Sequence, residues 1–291
     1  MRFEKNGENK FKNKFPRYGY FGILLIIVFW YLNWFLPGLK THWAFFPLWL
    51  GFCLTIDGVV FVRKGTSLIK RNIRKYFLLF VISAPVWWLF ELFDSITHNW
   101  FYDGKQYFTY LQFFILASIS FSTVIPAVFE TAELAGTFKW INKLKLSGKF
   151  EPTKEMIGII FTLGLVTLVL EIIFPKVFYP FIWITVYLLI EPVNIKLNNR
   201  NLFQYLNDGN WKPVVALWIG CLICAFFWEM WNYFSLPKWY YYLPMVNFLH
   251  IFEMPLLGYL GYLPFSLELF AIYNFIVGIF GDKRNNYIQF I

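Results

Sequence analysis

Residues Pro213–Ser235 read PVVALWIGCLICAFFWEMWNYFS and carry one charged side chain, Glu229. A helix needs about 20 mostly apolar residues to cross the hydrocarbon layer of a bilayer, so this stretch predicts a membrane-spanning helix. Seven more stretches of the same kind follow from the sequence, at 19–37, 43–62, 76–97, 107–138, 155–175, 177–195 and 247–281. The stretches at 107–138 and 247–281 are too long for one simple helix. The last contains Pro255, Gly258, Gly261 and Pro264, so it is expected to be broken or re-entrant, and the fourth likewise. Such breaks survive at membrane depth only where protein covers the freed backbone groups.

Composition agrees. Of the 291 residues 58% are hydrophobic, 24% aromatic and 15% charged. A soluble domain carries about 25% charge, so the class predicted is an all-α polytopic membrane protein with about eight crossings. High apolar content excludes a disordered chain, and three Cys exclude a disulfide scaffold.

The basic residues orient the spans. With the N-terminus inside, 22 of the 26 Lys and Arg fall on inner segments; the outer segments hold only Lys40, Lys105, Lys176 and Lys238. This positive-inside bias predicts both termini cytoplasmic, in a plasma-membrane protein. The net charge of +9 is read as anchoring beside anionic lipid, not as a nucleic-acid footprint. Residues 1–18 read as a basic cytoplasmic tail with no small-residue cleavage site, so no removed leader is expected.

The chain also resembles itself. Phe46-Pro47-Leu48-Trp49, ending at Ile56-Asp57, matches Tyr179-Pro180-Phe181-Ile182-Trp183, ending at Ile190-Glu191, at an offset of 134. Glu91 to Asp94 matches Glu229 to Asn232, and Pro126 to Glu130 matches Pro264 to Glu268, both at an offset of 138. Trp100 and Tyr102 match Trp239 and Tyr241. Two four-span repeats are predicted, 19–138 and 155–281, joined by a basic linker at 139–154 and followed by a tail at 282–291. Four crossings per half make the halves parallel, with a pseudo-two-fold axis along the membrane normal.

Ten of the seventeen acids fall within or at the edges of apolar stretches: Asp57, Glu91, Asp94, Glu130, Glu133, Glu171, Glu191, Glu229, Glu253 and Glu268. No Lys or Arg is read deep within a span. A charged acid at mid-membrane costs about 3 kcal/mol even on the mildest scale, so these groups are expected to be protonated, to accept bonds from Trp, Tyr and Asn, or to hold a cation. Glu91, Asp94 and His98 stand at i, i+3 and i+7, and His250 and Glu253 at i and i+3, spacings that share a helix face. Trp87, Trp88, Trp228 and Trp231 flank Glu91 and Glu229. Aromatic faces attract a cation without supplying a base, an environment suited to acid-initiated chemistry on an alkene. It equally suits any apolar lipid. The contrasting reading gives each acid only the task of tying helices together.

Three of these segments are similar to the integral-membrane lycopene cyclases of the bacterial heterodimer and fungal fused type: Trp228-Glu229-Met230-Trp231-Asn232, then Trp239-Tyr240-Tyr241, then Phe252-Glu253-Met254-Pro255 with Glu268 beyond. The first half offers Glu91 to Asp94, Trp100-Phe101-Tyr102 and Glu130. The resemblance implies an isoprenoid cyclase in which Glu253 donates the proton and Glu229 and Glu268 support it. The candidate catalytic residues are therefore Glu91, Glu229, Glu253 and Glu268. Asp94, His98, Asn232, His250, Trp88, Trp228 and Trp231 are the candidate substrate contacts.

Cys221 and Cys224 form a Cys-x-x-Cys inside a span and read as small core residues, since zinc wants four ligands. No metal is expected, and the residues do not identify a cofactor. Expected partners are membrane lipid or an apolar lipid substrate, with homo-oligomer formation open and no nucleic acid. The function that competes with a lipid enzyme is a proton- or cation-coupled transporter or channel, built on the parallel repeat.

Overall fold

The computed structural model describes residues 13–144 and 150–290. Arg2, Lys5, Lys10, Lys12, Lys145 and Lys149 of the charge count, with Glu4 and Glu8, lie outside the described residues. The first half of the chain forms α1 (Arg17–Phe35), α2 (Thr41–Lys64), the one-turn α3 (Leu68–Arg71), α4 (Ile73–Thr97), α5 (Tyr110–Phe121), α6 (Val124–Gly136) and the one-turn α7 (Lys139–Asn142). The second half forms α8 (Lys154–Ile173), α9 (Pro175–Phe178), α10 (Ile182–Lys196), α11 (Phe203–Leu206), α12 (Lys212–Tyr233) and α13 (Tyr262–Ile279). Short strands β1 (Trp100–Asp103), β2 (Lys238–Tyr241), β3 (His250–Ile251) and β4 (Met254–Pro255) lie between the helices.

Among the described residues eight helical units are long and apolar enough to cross a membrane: α1, α2, α4, α5 with α6, α8, α9 with α10, α12, and a 3-10 turn at Leu256–Gly261 with α13. The architecture is that of an all-α polytopic membrane protein.

Both expected breaks are present. The fourth unit interrupts its helix at Ser122 and Thr123, between α5 and α6. Ser83 of α4 bridges the gap: its hydroxyl donates to the Phe121 carbonyl at 2.6 Å and accepts from the Ile125 N–H at 3.0 Å. Thr123 donates its hydroxyl to the Ser120 carbonyl. The freed backbone groups thus find partners inside the protein, as they must where water is absent. The eighth stretch is helical only in its second part. Residues 250–255 form the β3–β4 hairpin and 256–261 a 3-10 turn before α13 begins.

Small residues let helices approach. Gly22 of α1 and Gly51 of α2 face each other so closely that a β-carbon on Gly22 would lie 2.7 Å from the Gly51 carbonyl oxygen, and one on Gly51 2.7 Å from that of Gly22. In lipid, helix association relies on close packing of this kind.

The segments that the charge count assigns to one side are found together. At one end Leu236 accepts the N–H groups of Lys40 and Thr41, and β1 pairs with β2. At the opposite end the segment after α13 is bound by Tyr287 Oη to the Leu68 carbonyl (2.8 Å), by Lys75 to Asp282 (2.7 Å) and by Arg200 to the Asn285 carbonyl (2.9 Å).

Two predictions follow from this packing. Gly51→Leu should lower the thermal midpoint of the purified protein, by roughly 1–3 kcal/mol of overpacking, while Gly158→Ala, which meets nothing within 4 Å, should not lower it, because alanine favours a helix over glycine. Ser83→Ala should cost about 1–3 kcal/mol, the penalty of an orphaned buried backbone group, measurable in the same melt.

Candidate functional site

Two acids, one from each half, sit behind the wall of one cavity. Glu91 on α4 accepts three hydrogen bonds on Oε1, from Trp87 Nε1 (3.0 Å), Trp100 Nε1 (3.1 Å) and Tyr102 Oη (2.6 Å). Glu229 on α12 is fully buried and accepts from Tyr241 Oη (2.8 Å) and Tyr262 Oη (2.7 Å). All five donors line a cavity of about 530 Å³, and neither carboxyl is part of its wall. That volume lies in the range of small-molecule sites.

The local chemistry that builds this arrangement is the same on both sides. As α4 ends, Asp94 Oδ1 accepts the backbone N–H groups of Asn99 (2.7 Å) and Trp100 (3.0 Å). As α12 ends, Asn232 Oδ1 accepts the Trp239 N–H (2.9 Å) and its amide donates to the Trp239 carbonyl (2.7 Å). Each side chain turns the chain into the strand that follows, β1 or β2. The strands then pair antiparallel with Trp100 opposite Tyr241, Phe101 opposite Tyr240 and Tyr102 opposite Trp239. Alternate residues of a strand face opposite ways. Trp100, Tyr102, Trp239 and Tyr241 therefore face the cavity they line, while Phe101 and Tyr240 stack on the outer face, centroids 5.5 Å apart.

Aromatic packing completes the walls. Trp183 of α10 stacks on Trp100 at 5.8 Å, Trp228 on Tyr262 at 6.0 Å, and Phe265 meets Trp87 edge-on at 5.9 Å. Burial, and then the neighbouring Glu91 carboxyl, push the Tyr102 phenol well above its ordinary pKa; burial and Glu229 do the same for Tyr241. Both phenols are thus held as O–H donors.

Several expectations need correction. Glu253 is not on a helix: it occupies the turn of the β3–β4 hairpin, away from the cavity wall, and is ion-paired to Lys238 at 2.5 Å. Lys238 borders the cavity, but its amino group lies over the Tyr240 ring, 4.4 Å from the centroid, on the outer face of the ribbon. Burial opposes its charge, but Glu253 and Tyr240 outweigh that and raise its pKa. His250 begins the same hairpin and is exposed, with Nε2 3.2 Å from Asn247 Oδ1. His98 ends α4 in the left-handed conformation (φ 52°) and is also exposed, so it does not share a helix face with Glu91 and Asp94. The i, i+3 spacing failed at both histidines because the helix it presumes is absent there. Nor are all ten acids without bases. Glu133 of α6 is paired with Arg71 and with Lys64, which reach it from the basic end of the bundle.

Three further acids find partners separately. Glu268 accepts the N–H groups of Val186 (3.0 Å) and Tyr187 (3.4 Å), Glu191 that of Leu202 (2.5 Å), and Glu171 the Thr185 hydroxyl. Of the tryptophans singled out, Trp228 lines the cavity. Trp88 turns towards α5, donating to Ser118 at 2.9 Å, and Trp231 packs against Trp49 in the core. Asp94 and Asn232 hold backbone and do not face the cavity. Residues that the sequence reading did not nominate are the donors Trp87, Trp100, Tyr102, Tyr241 and Tyr262; the repeated Trp-x-Tyr segments were the available signal for the central three.

No family model, curated protein or solved structure matches this chain.

The paired phenols give a direct test of the Glu229 site. Glu229→Gln keeps an oxygen acceptor for Tyr241 and Tyr262 and should leave the melting temperature close to wild type. Glu229→Leu leaves two buried hydroxyls unpaired and should cost about 2 kcal/mol or more, read by thermal unfolding in detergent.

Proposed function

We propose that this multi-pass membrane protein is an enzyme that takes an isoprenoid or other apolar lipid into the aromatic cavity and acts on it by acid–base chemistry. The observation that carries the reading is that the donors to Glu91 and Glu229 are themselves the cavity wall. A ligand in the cavity would touch phenol hydroxyls whose other partner is a carboxyl. One phenol–carboxyl pair would deliver a proton to an alkene carbon, the tryptophan faces would stabilise the resulting cation, and the second pair would accept a proton from a neighbouring carbon.

The reading includes the duplication. The like surroundings of Glu91 and Glu229, the like turns made by Asp94 and Asn232, and the pairing of the two Trp-x-Tyr segments about Phe101 and Tyr240 support descent of the two halves from one four-span unit. It also includes a plasma-membrane location with both termini cytoplasmic, on the strength of the basic end of the bundle. Lycopene-cyclase-like chemistry is the specific form the resemblance suggests, with Glu91 and Glu229 in place of Glu253, whose carboxylate is engaged by Lys238.

Proton- or cation-coupled transport is the competing reading. A hydrated cation would need carboxylates facing the cavity, whereas here they stand behind phenols and indoles, which suits an apolar guest better.

Expression in a bacterium that accumulates lycopene should convert the pigment to cyclised product, resolved by chromatography. Glu91→Gln and Glu229→Gln should each reduce conversion about 100-fold or more, the usual contribution of a positioned acid or base. Unconverted pigment with the wild-type protein removes the carotenoid form of the proposal. Full conversion by both variants removes the acid–base roles.

A further inference from the structure

The cavity wall is buried or half-buried almost throughout. Among the described residues that line it, only Pro180, Leu257 and Leu260 are exposed, Leu257 by 44% and Leu260 by 59%. All three are apolar, and they come from two turns. Pro180 lies in the 3-10 turn Tyr179–Phe181 that leads into α10, and the leucines lie in the 3-10 turn Leu256–Gly261 that leads into α13. Tyr179 packs with Leu243 and Met254, and its hydroxyl donates to the Pro244 carbonyl at 2.6 Å, just beyond β2. This edge of the cavity therefore lies at the ribbon end of the bundle, opposite the basic end.

The second turn shows which of its sides packs and which is free. Residues three apart in a 3-10 turn stand in one column. Gly258 and Gly261 form the column that packs: a β-carbon on Gly258 would be 3.0 Å from Leu243 Cδ1, and one on Gly261 2.9 Å from Trp183 Cδ1. Leu257 and Leu260 form the next column, at the rim where the cavity meets the surface. That rim is at membrane depth. Both turns belong to units long and apolar enough to cross a bilayer, and the exposed neighbours Val177, Phe181 and Leu256 are apolar as well. Lys176, exposed one turn before Pro180, is placed to reach the headgroups, as lysine does near the ends of spans. An exposed apolar patch marks a surface that meets lipid or a partner, and at this depth the neighbour is lipid chain.

We propose that Pro180, Leu257 and Leu260 form a lateral mouth, through which the hydrocarbon chain of a lipid in the leaflet opposite the basic end enters the cavity. The inference rests on the reading of the cavity as a lipid site, and not on the acid–base chemistry assigned to it.

The test uses the full-length protein in phosphatidylcholine vesicles that contain a long-chain prenol carrying a diazirine. After irradiation, mass spectrometry of peptides locates the adducts. In the wild type, Trp228 and Tyr262 inside the cavity should be labelled, as should Ile27, which α1 exposes. Leu260→Trp and Leu257→Trp each place a larger side chain across the mouth. Both should lose the labelling of Trp228 and Tyr262 and keep that of Ile27. Leu260→Ala widens the mouth and should label the two cavity residues at least as strongly as the wild type. The leucines are exposed, so all three variants should melt at the wild-type temperature. Cavity labelling that neither tryptophan reduces, or that Leu260→Ala weakens, would overturn the mouth and leave the lipid reading in place. A wild-type cavity that takes no label while Ile27 does would overturn the lipid reading, and the mouth with it.

Discussion

A carboxyl group inside a bilayer has no water to bind, so its donors must come from the protein, and here that need organises the structure around the cavity. Glu229 takes phenol hydroxyls from β2 and α13, and Glu91 takes two indoles and a phenol from α4 and β1. These bonds draw β1 and β2 down onto the helix ends, and the ladder between the strands then closes the roof. The cavity is what remains beneath a ribbon held by two acids.

The same requirement explains why the acids divide into kinds. Where backbone N–H groups face the acid, as for Glu191 and Glu268, these suffice. Near the basic end, arginine and lysine reach Glu133. Where aromatic donors surround a void, as around Glu91 and Glu229, the acid stands next to space that a ligand could fill. Burial of an acid is therefore a poor guide to function in this protein, whereas the position of its donors is a better one.

Spans and breaks were legible in the sequence because they rest on local properties: length of apolar runs, the cluster of Pro255, Gly258, Gly261 and Pro264, and the placement of lysine and arginine. The acids Glu91 and Glu229 were legible because charge in an apolar run stands out. The hairpin at 250–255 was not, since its apolar composition masks a strand pair too short to show a period. The pairing of Glu253 with Lys238 was hidden for a related reason: they stand fifteen positions apart, from the start of β2 to the turn after β3, and no spacing rule reports that contact. Tyr262 was missed because a tyrosine among 37 phenylalanines and 18 tyrosines carries no mark until its hydroxyl is seen to point at an acid.

The ribbon of β1 and β2 joins segments almost 140 positions apart in the chain. During synthesis β1 emerges with the first half, its backbone edge unpaired, long before β2 exists. The donors to Glu91 all belong to that first half, so this acid can be satisfied early and locally. The cavity itself cannot close until α12 has entered the membrane and delivered Lys238–Tyr241 to the far side. Completion of the roof is thus a late event of membrane insertion, and a chain released before its seventh span would expose an open, aromatic-lined cleft together with a free strand edge, the features by which quality control and aggregation alike recognise unfinished proteins.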